Sequence, residues 1–135
     1  MSASSADPPD DKTLPTPDPS RVQLIRSYGP GHFVIGERDW RVPVLVTPAL
    51  TVEWTVSRAE DLSLVSLAPL RQMQPPPELL VLGCGRRAIF VLPALRAELR
   101  RAGLALEVVD TGSACRIYNV LLAEGRRVAA ALVPI

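Results

Sequence analysis

The feature that most constrains the fold is the apolar run Leu79-Leu80-Val81-Leu82, which follows three consecutive prolines and Glu78 and ends at Gly83. A continuous apolar run of this kind between turn signals is typical of a strand buried on both faces, as in a parallel or mixed sheet. Helix and strand patterns then alternate to the end of the sequence, with glycines placed to end each helix. The C-terminal half therefore predicts a β-α-β-α-β series.

The later elements of this series follow from local signals. Proline suits the first turn of a helix, apolar residues recur every three or four positions along it, and glycine ends it. The predicted elements are a helix from Pro93 to Gly103 with Leu92, Leu95, Leu99 and Ala102 on one apolar stripe, a strand at 104–109, a helix capped by Thr111 or Ser113 and ending at Gly125, and a strand at 127–133.

The N-terminal part, residues 22–54, predicts short antiparallel strands separated by glycine-containing turns. Val42, Val44 and Val46 share one face of a strand. Pro43 lies within that strand and has no N–H to donate, so we expect the strand at a sheet edge or with a bulge at this residue.

A short helix that opens at Ser57 or Arg58 and ends at Pro69 separates the two halves. The predicted fold class is mixed α/β. An antiparallel β portion packs with the β-α-β-α-β sheet, and helices cover that sheet.

Residues 1–20 differ in composition from the rest of the sequence. They hold five prolines between Pro8 and Pro19 and four aspartates, and Leu14 is their one large apolar side chain apart from Met1. Such a segment cannot bury enough surface to offset the entropy lost on ordering. We expect a disordered, acidic, proline-rich tail over residues 1–20 and a single domain over residues 21–135, with a docking peptide that orders on a partner as the alternative.

Composition argues against several classes of protein. Fifteen basic and fourteen acidic residues leave a net charge of +1, so the positive field used in non-specific nucleic-acid binding is missing. The apolar runs fall well short of the roughly 20 residues that span a bilayer. Two cysteines give no disulfide framework, and the first 20 residues hold no apolar leader. We expect a cytoplasmic protein that binds no nucleic acid and is not an integral membrane protein.

Two polar segments follow the predicted parallel strands at the edge where α/β sheets usually bind ligands. Gly83-Cys84-Gly85-Arg86 is neither a Walker A loop nor a complete G-x-G-x-x-G motif. Residues 110–116 run into a helix, whose N-terminus attracts anions and lowers the pKa of a nearby thiol such as Cys115. The structural alternatives are a tight glycine turn in the first segment, and helix capping by Asp110 and Thr111 in the second.

The two cysteines leave neighbouring predicted strands at the same edge, so a redox pair of Cys84 and Cys115 is one hypothesis. Lone cysteines are more often small core residues, and inert packing is the other hypothesis. Because Cys115 lies at the margin of an apolar helix stripe, we expect its side chain to be buried.

Other candidates for chemistry are few. His32 is the only histidine, so a zinc site and a Ser-His-Asp triad both lack their usual residues. Glu124 is the one acid or base candidate near the second segment, and with Arg126 it is more simply interpreted as an exposed ion pair. The sequence predicts no catalytic set, no metal site and no cofactor.

Three segments of the sequence together resemble the MTH938-like proteins, a former domain of unknown function. They are residues 25–36, residues 82–85 and, above all, the long block 110–132. The resemblance runs from about Val22 to Ile135 and departs from the family pattern at Cys84 and Ile117, where threonine is usual. It implies a fold of mixed β and α layers, which agrees with the elements predicted above.

The MTH938-like family includes a mitochondrial factor that helps to assemble respiratory complex I, and it brings no established catalytic residues. The resemblance therefore implies a non-enzymatic protein-binding or assembly factor, whose partner is a protein such as a subunit of a membrane complex. For this chain we expect a location in the bacterial cytoplasm, at the face of the membrane where that complex is met. A homodimer formed through an edge strand is a further expectation.

The alternative is an enzyme or binding module for a small molecule or anion, with its pocket at strand ends 83–87 and 110–119. Arg86 or Arg116 would hold a carboxylate or phosphate, and Cys115 would be the nucleophile. The candidate pocket consists of Gly83, Cys84, Gly85, Arg86, Asp110, Thr111, Cys115, Arg116, Tyr118, Asn119, Glu124 and Arg126.

Overall fold

The computed structural model describes residues 22–135 of the chain. The strands are β1 Ile25–Gly29, β2 His32–Ile35, β3 Arg38–Trp40, β4 Val44–Val46, β5 Thr51–Glu53, β6 Leu79–Gly83, β7 Ala105–Val109 and β8 Val128–Leu132. The helices are α1 Ala68–Arg71, α2 Pro93–Arg101 and α3 Thr111–Ala123, with 3₁₀ turns at Ala59–Asp61 and Val65–Leu67. The predicted acidic tail, residues 1–20, lies outside the described residues.

The apolar run of the sequence forms β6, an interior strand of a five-stranded sheet with the order β5-β4-β8-β6-β7. β6 pairs in parallel with both β7 and β8, as the β-α-β-α-β pattern predicts. β4 then joins β8 in antiparallel register and continues to β5. The predicted mixed α/β class is confirmed.

β1, β2 and β3 form a separate three-stranded antiparallel sheet. Its two hairpin turns contain Gly31 and Gly36, whose φ angles of 77° and 61° lie in the left-handed region that favours glycine. The N-terminal antiparallel portion is therefore divided between two sheets.

Two expectations for the N-terminal half are wrong. The strand with Pro43 does not run through this residue at an edge, because β3 ends before it and β4 begins after it as an interior strand. Pro43 lies in the break, where its carbonyl accepts a hydrogen bond from the Trp54 N–H at 2.8 Å. Pro69 does not end a helix but lies in the first turn of α1, where a missing N–H costs nothing.

Two apolar cores lie on opposite faces of the five-stranded sheet, because successive side chains of a strand alternate between faces. Leu80 and Leu82 of β6 belong to the first core, which α2 and the segments at residues 54–70 cover. Val81 belongs to the second core, which α3 and the three-stranded sheet cover. The five-stranded sheet thus lies between two covering layers, one with α2 and the other with α3 and the three-stranded sheet. No helix among residues 22–135 is long and apolar enough to cross a bilayer.

Candidate functional site

The ends of the three parallel strands meet where the sequence places its candidate pocket. The Cys84 N–H donates to the Val109 carbonyl at 3.0 Å, and the Val133 N–H donates to the Gly83 carbonyl at 3.0 Å. The Thr111 N–H in turn donates to the Gly85 carbonyl at 2.9 Å. The structure therefore brings the two predicted polar segments together.

The Thr111 hydroxyl completes this junction. It accepts a hydrogen bond from the Gly85 N–H at 2.7 Å and donates one to the Val133 carbonyl at 2.7 Å. Thr111 is fully buried. The hydroxyl thus both donates and accepts a hydrogen bond inside the protein. These two bonds join the ends of β6 and β8 to the start of α3.

Gly83 lets α3 lie directly against β6. A Cβ atom at this position would lie 2.9 Å from a methyl carbon of Leu132, 3.0 Å from the Ala114 Cβ and 3.1 Å from the Thr111 Cα. No side chain fits at these distances without a shift of the helix. The close approach of helix and strand accounts for glycine here.

Asp110 is the N-cap of α3, so its predicted capping role is confirmed, and the expectation that Thr111 or Ser113 caps this helix is wrong because both lie inside its first turn. Its Oδ2 accepts from the Ser113 N–H at 3.1 Å, and its Oδ1 accepts from the Ser113 hydroxyl at 2.7 Å. These hydrogen bonds, led by the one from the Ser113 side chain, lower the pKa of the Asp110 carboxyl. A carboxylate of the protein itself therefore occupies the helix N-terminus.

Arg116 connects the start of α3 to the three-stranded sheet. Its Nη1 donates to the Tyr28 hydroxyl at 2.9 Å, and its Nη2 donates to the Ser113 hydroxyl at 3.2 Å. Tyr28 lies so close to Gly112 that a Cβ there would be 2.8 Å from the phenol oxygen. The guanidinium is exposed and bonded to protein groups.

Tyr118 and Asn119 hold the β1 segment against the same helix. The Tyr118 hydroxyl donates to the Gln23 carbonyl at 2.8 Å. The Asn119 side chain accepts from the Ile25 N–H at 3.0 Å and donates to the Ile25 carbonyl at 2.8 Å. Burial raises the pKa of the Tyr118 phenol above its ordinary value. These candidate pocket residues thus attach one sheet to the other through α3.

The two cysteines are not brought together. Cys84 packs against the first core and Cys115 belongs to the second, on the opposite face of the sheet. Cys115 is 2% exposed, which confirms its predicted burial. Burial raises the pKa of its thiol to about 12, although the nearby Arg116 acts in the opposite direction. Burial also raises the pKa of Cys84.

The remaining candidates lie apart from this junction. Arg86 is exposed on the chain segment that follows β6. Glu124 and Arg126 are exposed beyond the C-terminal end of α3, and Arg126 lines a cavity of about 190 Å³ together with Pro75 and Pro77. Within residues 22–135 no three His, Cys, Asp or Glu residues come together as a metal would require.

A wide groove that the sequence reasoning missed lies between the three-stranded sheet, the β4–β5 turn and the C-terminal half of α3. Its volume is about 1100 Å³, and its lining includes Leu24, Trp40 and Leu122. The Arg38 guanidinium lies 4.1 Å from the centre of the Trp40 ring. The groove combines residues of the range 22–51 with the distant C-terminal half of α3, so no local motif marks it.

Comparison with known proteins identifies relatives of this chain. A family described as "Protein of unknown function (DUF498/DUF598)" matches residues 25–133. The assembly factor "NADH dehydrogenase [ubiquinone] 1 alpha subcomplex assembly factor 3" of Danio rerio is 38% identical over 111 residues, which are 82% of this chain and 64% of that protein. The chain therefore spans less than two thirds of that relative's length.

Bacterial relatives cover more of their own length. An uncharacterised protein of Rhodobacter capsulatus is 38% identical over 110 residues, which are 82% of this chain and 83% of that protein. The solution structure of a Bordetella pertussis protein, described as an Mth938-like domain, has a TM-score of 0.74 and 28% identity over 90% of this chain and 92% of that one. The MTH938-like resemblance is confirmed.

The junction at Thr111 makes a prediction about stability. Replacing the residue with valine (Thr111→Val) keeps its shape but leaves the buried Gly85 N–H and the Val133 carbonyl without partners. We expect the free energy of unfolding to fall by about 3 kcal/mol. Thr55→Val is the matched control, since this threonine is exposed and its loss should change stability by less than about 0.5 kcal/mol. Urea unfolding followed by tryptophan fluorescence measures both; equal effects would contradict the proposed role of the hydroxyl.

The burial of Cys115 predicts its reactivity. Because its pKa is about 12, almost none of this thiol is ionised near neutral pH, and the thiolate is the form that reacts with iodoacetamide. In a Cys84→Ser variant, we expect Cys115 of the native protein to react only as fast as the protein opens locally. In a Cys115→Ser variant, the half-buried Cys84 should react faster. Rapid labelling of Cys115 at neutral pH would contradict its inert role.

Proposed function

The chain belongs to the DUF498/DUF598 family, and from this we propose that it is a non-enzymatic, protein-binding assembly factor for a respiratory membrane complex. The observation that carries the proposal is the likeness to a complex I assembly factor over 111 residues, 82% of this chain. The family match over residues 25–133 includes both sheets and the helices between them.

The chemistry of the strand ends supports this function over a small-molecule enzyme. Of the groups that would receive an anion there, the Arg116 guanidinium and the start of α3 already bond to Tyr28 and to Asp110, and Arg86 is exposed on the segment that follows β6. The one candidate nucleophile, Cys115, is buried with a raised pKa. A reactive site needs an accessible group with a pKa suited to its task, so the contacts favour structural roles for these residues.

The partner that we propose is a protein subunit of the complex under assembly, met at the cytoplasmic face of the membrane. The name of the Danio rerio relative gives NADH dehydrogenase as its complex, and we extend that class of partner to this chain.

A homodimer through an exposed edge strand such as β7 belongs to the same proposal, since an unpaired edge can add a strand from a second copy. Light scattering at several concentrations tests it; a monomer mass throughout would exclude the dimer.

Deleting the gene from its host cell tests the assembly function. We expect less assembled NADH dehydrogenase in the membranes, and a matching loss of NADH:quinone activity, because subunits that lack their assembly factor do not reach the finished complex. Re-expression of the full chain should restore both. Succinate dehydrogenase activity is the control and should not change. Normal amounts of NADH dehydrogenase in the deletion strain would contradict the proposed function.

A further inference from the structure

The chain segment between β6 and α2 presents two large apolar side chains to solvent. Phe90 is 79% exposed and Leu92 is 64% exposed, whereas Val91 between them is buried in the first core. This alternation is the pattern of an extended chain lying on a core, with every second side chain directed outward. Two such neighbours form an apolar patch rather than a single exposed side chain, and patches of this kind mark contact sites.

Basic residues flank this patch in the sequence. Residues 84–103 contain five arginines and one acidic residue, Glu98, for a net charge of +4, while the whole chain carries +1. Arg86 and Arg87 precede Phe90 and are exposed, as are Arg100 and Arg101 at the end of α2. We call Arg86, Arg87, Phe90 and Leu92 together the Arg-Phe surface. Its charge is complementary to acidic groups.

The acidic partner of the Arg-Phe surface could be a protein or a membrane of acidic lipids. The backbone beneath the surface favours the protein. Within residues 22–135, the peptide groups of Arg86 to Val91 make no hydrogen bond to another backbone group, and of these groups the Ile89 N–H bonds to the Cys84 sulfur. The hydrocarbon of a membrane cannot satisfy such groups, and irregular backbone is not tolerated against lipid tails. A polypeptide supplies donors and acceptors for them. The surface therefore fits a protein better than it fits a lipid bilayer.

We propose that the Arg-Phe surface binds a partner protein at a site where acidic side chains flank an apolar pocket. Aromatic and arginine side chains carry much of the binding energy in protein interfaces, and arginine pairs with carboxylates through two parallel hydrogen bonds. The inference rests on the proposed assembly function and assigns it a surface. That surface is distinct from the junction at Thr111 and from the groove beside Trp40.

A photocrosslinking experiment on the full chain in its host cell tests the surface. Benzoylphenylalanine replaces Phe90 in one protein and Val120 in the control, because Val120 is 56% exposed on α3, on the opposite face of the sheet. We expect the probe at position 90 to form an adduct with a polypeptide, and mass spectrometry of the linked peptide should show aspartate or glutamate beside apolar residues. A phospholipid adduct, an adduct with a second copy of this chain, or no more adduct than from position 120 would overturn the proposal.

Charge variants make the test quantitative. Arg87→Glu should lower the yield of the adduct at least about tenfold, because it opposes the acidic partner. Arg126→Glu is the matched control and should leave the yield unchanged, since Arg126 is exposed before β8, at the opposite end of the parallel strands from Arg87. Equal yields from the two variants would overturn the proposal, provided that both keep the thermal midpoint of the wild type.

The same variants separate this inference from the proposed function. If the wild type and Arg87→Glu restore NADH dehydrogenase equally well in the deletion strain, the surface assignment fails and the assembly function stands. If deletion leaves NADH dehydrogenase unchanged but the acidic adduct forms, the assembly function fails and the surface stands.

Discussion

Two hydrogen bonds of one buried hydroxyl hold the rest of the architecture in place. Thr111 joins the Gly85 N–H to the Val133 carbonyl, and so fixes the ends of β6 and β8 at the first residue of α3. Because Gly83 has no side chain, that helix lies directly on the sheet. The helix then holds the three-stranded sheet through hydrogen bonds from Tyr118 and Asn119. Polar residues that resemble a ligand site in sequence therefore serve to join two sheets through one helix.

The sequence predicts the parallel part of the fold because its signals are local. The apolar run of β6 and the proline at the start of α2 lie within the element they define, and the glycines after both longer helices lie directly beside it. The membership of β4 in the main sheet depends on pairing with β8, more than 80 residues away (Val44 opposite Leu132), and no local pattern reports it. The cysteine pair could have been rejected from the alternation of side chains, since Cys84 follows the parity of Leu80 and Leu82 and so points away from α3.

The surface that we propose for partner binding escaped the sequence reasoning for a physical reason. Leu92 extends the apolar stripe of the helix that follows, so its position favours burial. In the structure it is the N-cap residue, lies outside the helix and is exposed. Phe90 is a large apolar residue of the type usually found in a core, yet its side chain is exposed. An assembly factor binds its partner through exposed side chains of this kind and needs no reactive group. The polar groups at the strand ends, which bond within the protein itself, agree with such a role.

The proposed function requires that the chain work by contact and not by covalent or acid-base chemistry at its strand ends. Rescue of the deletion strain by the full chain carrying Cys115→Ala and Glu124→Gln tests it most directly, because these changes remove the one candidate nucleophile and the nearby acid or base. We expect this variant, if it folds with a cooperative transition, to restore the wild-type amount of membrane NADH dehydrogenase. A folded variant that fails to restore the complex would contradict the proposed function and favour an active site at the strand ends.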